Sequence, residues 1–467
     1  MACRQSAALP HLGRDRIARH RIIVSVRENT IKPDVAAAAT DVAPVPSVSD
    51  SSRGAVLLIA LLVAVGGAMR VVFSPLQELA KHELALTDLQ LSFVQGLAAS
   101  IPIAILAIPI GRLVDRGNRA RLLLLLTGVS VAGTVLTALA SGFVALFFAR
   151  MLAGLGALCG IPVAISMTAD LSSLERRGRA VMLLSVGQAV GLAMGFAFAG
   201  GLIASSGLGA VGLPPWRAVH VVFSAVIAAV LAFAWWRLRE PARHEVGNLV
   251  HPPFAVVLRE LWNRRAYLVP LFIGQIGVVM ADVAAGIWAA PVLTRDHGLA
   301  PEQFGAAMGL AVLVPGILGS ILGGVAADLG ARSGRRGGVL YGAVIAAAFA
   351  VPAALFPLAG TLSSFTGVLA GFLLCGAITG LITAIVLATV IPNEMRGVCL
   401  GAFIVVSSVI GMGIAPTVVT LVADALGGES HLAAALAGTG VVISLASLLA
   451  FVFAALRLPL AEGSRHG

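Results

Sequence analysis

Three ionisable residues stand inside long apolar runs of this 467-residue chain: Arg70, Arg150 and Asp282. A charge near the centre of a membrane-spanning helix costs about 2.5–3.5 kcal/mol on insertion scales, and such residues mark cavities or pathways. Two guanidiniums suit the holding of an anion, and a lone carboxylate suits the uptake and release of a proton. Each residue also has a plainer alternative. Arg150 can pair with Asp282 or with helix carbonyls, Arg70 can snorkel to the interface, and Asp282 can be a counter-ion only.

Other chemistry is excluded by what the chain lacks. Lysine occurs only at Lys32 and Lys81, so a phosphate-binding loop ending in Gly-Lys-Ser/Thr, a retinal Schiff base and a pyridoxal lysine have no residue to use. Cys3, Cys159, Cys375 and Cys399 are scattered without a CxxC pair and read as small core residues. The nine histidines show no HExxH or other ligand spacing. No metal, cofactor or nucleic-acid partner is expected. An intramembrane enzyme would need a converging nucleophile and base, or a metal-binding acid pair, and the sequence offers neither.

The elements that must position the three charges follow from composition. Hydrophobic residues make up 58% and charged residues 12%, against roughly 45–50% and about 25% in soluble domains. Twelve apolar stretches, near 54–76, 89–114, 121–140, 142–168, 180–206, 217–239, 267–292, 303–328, 338–357, 362–391, 397–426 and 431–457, are each long enough to cross a hydrocarbon core of about 30 Å as a helix. At about 1.5 Å per residue, Arg70, Arg150 and Asp282 lie about 9, 12 and 15 Å from the outer ends of their stretches, in one layer. Connections from even to odd spans hold seventeen arginines, while those from odd to even spans hold Lys81, Arg217 and Arg295. The basic side, with both termini, is therefore expected to be cytoplasmic, in a bacterial inner (plasma) membrane.

Residues 1–53 read as an unstructured tail, 240–266 as a linker between two six-helix halves (54–239 and 267–457), and 458–467 as a second tail. The halves repeat. A shift of 213 positions superposes Leu86 on Leu299, Gln90 on Gln303, Gly96 on Gly309, Pro102 on Pro315, Gly111 on Gly324, Asp115 on Asp328 and Arg119 on Arg332. A shift of 219 lays LERRGRA (174–180) on NEMRGVC (393–399). Parallel six-helix repeats are the mark of a two-bundle transporter with its site at the interface.

The stretch GRLVDRGNRARL (111–122) sets one acid and four arginines between two runs almost free of charge, and GVAADLGARSGRR (324–336) is a degenerate second copy. An acid there can sit against the N-terminus of a helix from the other half, a contact of about 0.3–2 kcal/mol. This motif resembles that between the second and third helices of the major facilitator superfamily, and the likeness covers roughly residues 54 to 460. DLQLSFVQG, PIGRLVDRGNR, RMLAGLG, ADLSSLERRGRA and GIWAAPVL resemble its spinster-like branch in particular. The resemblance implies an all-α integral membrane fold of twelve helices in two pseudo-symmetric bundles. It also implies a latch that holds the halves together on the cytoplasmic side when the site faces outward, built around Asp115 and Asp328 with Arg116, Arg119, Arg332 and Arg335, and joined by Gly111, Glu175 and Arg179.

Small residues at four-residue spacing, Gly187, Gly191 and Gly195 on the fifth helix and Gly316, Ser320 and Gly324 on the eighth, let backbones approach closely. In the family these helices face one another across the halves, so both tracks are expected at the interface. The resemblance also implies that spans one, four, seven and ten line the central cavity. Spinster-like proteins often carry an acid just before the first-helix arginine and another after the GxG of the fourth helix; here Met69 and Ala157 stand there. That tilts the cavity toward positive charge. The expected function is secondary transport, by a monomer, of a small organic anion or anionic amphiphile bound by Arg70, Arg150 and Asp282, with protons coupled through Asp282 or with exchange. Multidrug or lipid efflux is the alternative, and a transporter-like sensor the alternative of another class.

Overall fold

The computed structural model describes residues 50–173, 176–205, 212–243, 259, 262–391 and 393–458. Twelve helices among them are long and apolar enough to cross a membrane. They are Arg53–Leu84, Asp88–Arg116, Arg119–Leu139, Phe143–Asp170, Arg177–Ala204 and Pro215–Arg237 in the first half, and Arg265–Arg295, Pro301–Arg332, Gly338–Leu358, Leu362–Val390, Gly401–Leu426 and Glu429–Arg457 in the second. They are called spans one to twelve below. Lipid offers a backbone N–H or C=O no partner, so each must be satisfied within its own helix; no strand occurs among the described residues.

The number of spans is even, so the two described chain ends lie at one end of the molecule, the terminal end. The helix of span one starts at Asp50, inside the segment expected to be unstructured up to residue 53. The rest of that tail, most of the linker, the tail from residue 459 and the expected latch residue Glu175 lie outside the described residues.

Sequence explains the helix starts. Thr87 accepts from the Gln90 N–H while the Gln90 side chain accepts from the Thr87 N–H, closing a capping box at the start of span two. Asn118 caps span three through the Arg121 N–H, at 2.8 Å. Pro215 and Pro301 occupy first helical positions, where a missing N–H costs nothing.

Three irregularities matter for the site. Span one breaks after Val71, passes through a short 3-10 turn at Ser74–Leu76 and resumes at Gln77–Leu84. Pro75 is the local cause, since it donates no N–H to the carbonyl one turn back. Spans two and eleven each contain a π-helical stretch, Phe93–Leu97 and Ser407–Ile414. These stretches meet across the halves: a Cβ on Gly96 would stand 2.8 Å from the Met412 carbonyl, and one on Gly413 2.6 Å from the Ser100 hydroxyl.

The buried apolar residues reveal how the halves are arranged. One continuous core, with Phe73, Trp216, Trp288, Phe304 and Phe365, takes residues from both halves and lies toward the end remote from the termini. Toward the terminal end there are two cores, one drawn from the first six spans and one from the last six. The halves are fused at one end and separate at the other.

Candidate functional site

Arg70, Arg150 and Asp282, more than two hundred positions apart at the extremes, line one cavity of about 270 Å³. Its other walls are mostly apolar, among them Val71, Phe196, Ile287 and Leu373, and the π-helical stretches contribute Val94 and Gln95 on one side and Met412 on the other. The site is thus large enough for a small organic molecule, with few polar groups to orient it.

The three charges are held differently. The Arg150 guanidinium donates to the Arg70 carbonyl at 2.8 Å and, more weakly, to the Met69 carbonyl at 3.4 Å. Those carbonyls belong to the last turn before the break in span one, where helix carbonyls lose their own donors. A cation there also meets the negative end of the helix dipole. Arg150 further lies over the Phe73 ring, 5.1 Å from its centroid, while its Nε has no partner among the described residues. Arg150 therefore closes the break in span one and presents the remainder of its fork to the cavity. It does not pair with Asp282.

The side chains of Arg70 and Asp282 make no ion pair or hydrogen bond among the described residues, and both residues are partly exposed and line the cavity. Asp282 lies against span ten, where a Cβ on Gly376 would collide with its carboxylate. Behind it, toward the interior of the second half, is a small chamber lined by Asp282, Thr379, Ser444 and Ser447. The Ser447 hydroxyl is buried without a partner among the described residues. No cluster of three or more His, Cys, Asp or Glu able to hold a metal occurs among the described residues.

The internal repeat relates this arrangement to its counterpart. The 213-position shift lays Asp282 on Met69, and the 219-position shift lays Gly376 on Ala157. Met69 and Ala157 line a small chamber of the first half, with Thr127 and Ser130. The acid missing from the first half stands at the matching position of the second.

At the end remote from the termini, the halves are joined by an ionic cluster that the sequence reading treated as sparse outer-loop charge. Arg295 of the second half grips Glu78 with Nε and Nη2 (3.0 and 2.7 Å) and Asp88 with both Nη groups (2.7 Å each). Lys81 bridges Asp88 at 2.8 Å and Glu429 of the second half at 2.5 Å. Gln77 donates to the Ile287 carbonyl, Ser74 to the Gly286 carbonyl, and the Ser92 and Thr417 hydroxyls stand 3.1 Å apart. The members of the ionic cluster come from three connections, those between spans one and two, seven and eight, and eleven and twelve.

The expected latch does not join the halves in this conformation. Gly111, Asp115, Arg116, Arg179, Asp328, Arg332 and Arg335 are exposed, and none of their side chains makes an ion pair across the halves among the described residues. Arg119 is buried but bonded within its own half, to Asp170 at 2.5 Å and Glu240 at 2.8 Å. Glu240 also accepts from the Ala120 N–H. The Arg243 guanidinium binds the carbonyls of Val114, Asp115 and Gly117, closing the end of span two. The physical reason is the separation of the two cores at this end.

The glycine tracks need a correction. Gly187, Gly191 and Gly195 pack against span one of their own half, where added Cβ atoms would meet the carbonyls of Ala60, Ala64 and Ala68. On span eight, Gly316 does face the other half, at Ala189, but Gly324 looks toward Leu381 of span ten, and Ser320 bonds back to the Gly316 carbonyl. Between spans five and eight the close cross-half packing belongs to Gly200, Gly305 and Gly309: their Cβ atoms would stand 2.6–2.8 Å from the carbonyls of Pro301, Phe196 and Ala193.

Two helical bundles around a central cavity, joined at one end and parted at the other, define a secondary-transporter architecture. The chain belongs to the major facilitator superfamily, whose family profile matches residues 56–416. It is an integral membrane protein of the transporter type. Its fold is similar to that of a bacterial homologue of the human lysosomal transporter Spinster, crystallised inward-facing and unoccupied, with a TM-score of 0.72, 21% identity, and coverage of 88% of this chain and 96% of that one. A D-xylose–proton symporter gives a TM-score of 0.64 at 15% identity, over 87% and 98% of the two chains. Among curated proteins, the MFS-type transporter phiL of a fungal species (strain ATCC 74256) is 30% identical over 177 residues, which span 38% of each chain.

Proposed function

We propose that this protein moves a small organic anion or an anionic amphiphile across the membrane by alternating access. The observation that carries the reading is the charge inside the cavity: an Arg70 side chain without a partner among the described residues, Arg150 only partly engaged, and one carboxylate, Asp282, against mostly apolar walls. A guanidinium fork matches a carboxylate or phosphate, and the apolar walls suit a hydrocarbon portion. Asp282 is the residue for proton coupling, because it is the cavity's acid and stands between the substrate space and the chamber behind it. With the arginine-rich terminal end in the cytoplasm, the closed ionic cluster is the outer gate and the cavity faces inward. In the outward-facing state the gate opens and Asp115, Arg116, Asp328, Arg332 and Arg335 close the cytoplasmic end.

The test is uptake into proteoliposomes of organic anions, lysophospholipids and cationic dyes, with and without an imposed pH gradient, for wild type, Arg70→Ala and Asp282→Asn. Gradient-driven anion uptake that falls at least tenfold in Arg70→Ala and loses its pH response in Asp282→Asn is expected. Anion uptake indifferent to both the gradient and Asp282→Asn means exchange without protons. Movement of dyes alone overturns the anion assignment in favour of multidrug efflux.

A further inference from the structure

A second recess lies at the terminal end of the first half, away from the central cavity. It has a volume of about 320 Å³ and is formed where spans one, four and five end. Its polar rim holds Arg53, Arg176 and Arg179, and its floor holds Leu57, Leu171 and Leu183. The recess begins one helical turn beyond the contact of Gly187 with the Ala60 carbonyl, the last tight approach of spans one and five toward this end.

Three features together select an occupant. No acidic side chain lines the recess among the described residues, and the nearby acid Asp170 is taken by Arg119. Arg176 and Arg179 make no ion pair among the described residues. Both lie at the boundary of their membrane span, the depth at which lipid head groups sit. Below the arginines the wall turns apolar and continues onto the lipid-facing surface: Leu57 and Leu61, one turn apart on span one, and Met182 on span five are 60%, 44% and 55% exposed. A cationic rim above an apolar groove complements a phosphate joined to an acyl chain, and basic pockets between helix ends on the cytoplasmic side bind anionic lipid heads.

We propose that this recess is a binding site for an anionic phospholipid of the leaflet at the terminal end, its phosphate held by Arg176 and Arg179 beside Arg53 and its acyl chain laid along Leu57 and Leu61. The site is independent of the substrate cavity. Occupancy would hold Arg179 in its own half, so the lipid tunes how readily the terminal end closes.

The experiment is native mass spectrometry of the full-length protein in detergent, titrated with phosphatidylglycerol, phosphatidylcholine or inorganic phosphate. Wild type is expected to retain phosphatidylglycerol at least tenfold more tightly than phosphatidylcholine. At about 1 kcal/mol per arginine near the surface, Arg176→Gln with Arg179→Gln weakens retention about thirty-fold, while Arg176→Lys with Arg179→Lys keeps most of it. Equal retention of the two lipids by wild type overturns the proposal without reference to any variant. So does unchanged retention in the folded double glutamine variant, and displacement of the lipid by inorganic phosphate would assign the site to a free anion instead.

Discussion

Arg70 and Arg150 share a cavity but answer to different partners, and their substitutions should separate. Arg150 satisfies carbonyls stranded at the break of span one and stacks on Phe73. Removing it leaves buried acceptors unmet, at about 1–3 kcal/mol each, together with the loss of the ring contact. Arg150→Ala is therefore expected to lower unfolding stability by about 2–4 kcal/mol as well as substrate binding. The Arg70 side chain has no partner to strand among the described residues, so Arg70→Ala should lose binding while its stability stays within about 0.5 kcal/mol of wild type. Thermal unfolding beside substrate titration measures both; an equal loss of stability in the two variants would make Arg70 structural too. Sequence alone exposed these residues because a charge is conspicuous in an apolar run. It did not show whom Arg150 serves, because its acceptors depend on a helix break whose signal was the Ser74-Pro75 pair.

At the scale of elements, the direction a small residue faces decides what it does. Gly191 lies on the Ala64 carbonyl of its own half, so a methyl group there wedges two helices that belong to one rigid bundle. Gly309 lies on the Ala193 carbonyl across the halves, with a Cβ at 2.8 Å. Overpacking costs about 1–3 kcal/mol at either site, but it acts on different equilibria. Gly191→Ala is expected to lower the melting temperature without changing the balance of conformations. Gly309→Ala is expected to favour the state in which spans five and eight part, read as increased protease access at the remote end. Similar access in both variants would refute the division. The twelve helices were legible from sequence because the bilayer leaves a backbone no other choice. A four-residue glycine period marks a close-packing face but carries no information on the helix's rotation, so the partner of the fifth-helix track could not be read from it. The π-helical stretches of spans two and eleven left no such signal either, although both bring a side chain to the cavity.

For the whole molecule, the asymmetry between its two ends is an energy difference held largely by charge. Glu78 and Asp88 are 7% and 6% exposed, and each depends on Arg295 from the other half. Lys81 and Glu429 extend the same cluster, so five ionised groups from three loops join the halves at one end. No sequence pattern foretold the pairing, because Arg295 lies 217 and 207 positions from its two acids and only the closed fold brings them together. Breaking a buried pair by removing one partner costs about 3–5 kcal/mol, and without Arg295 the buried Glu78 stays unmet while Asp88 keeps only Lys81. That penalty falls on the closed gate alone if opening exposes Glu78 and Asp88 to water. At 1.4 kcal/mol per tenfold change, Arg295→Ala should then move the ratio of closed to open gate more than a hundredfold toward open. Ser92→Cys and Thr417→Cys provide the gauge, because the native hydroxyls stand 3.1 Å apart across the closed gate. The cysteine pair is expected to cross-link readily with Arg295 present and poorly in Arg295→Ala. Cross-linking that persists unchanged would mean that the apolar contacts around Trp288 and Phe304, rather than the ion pairs, keep this end shut.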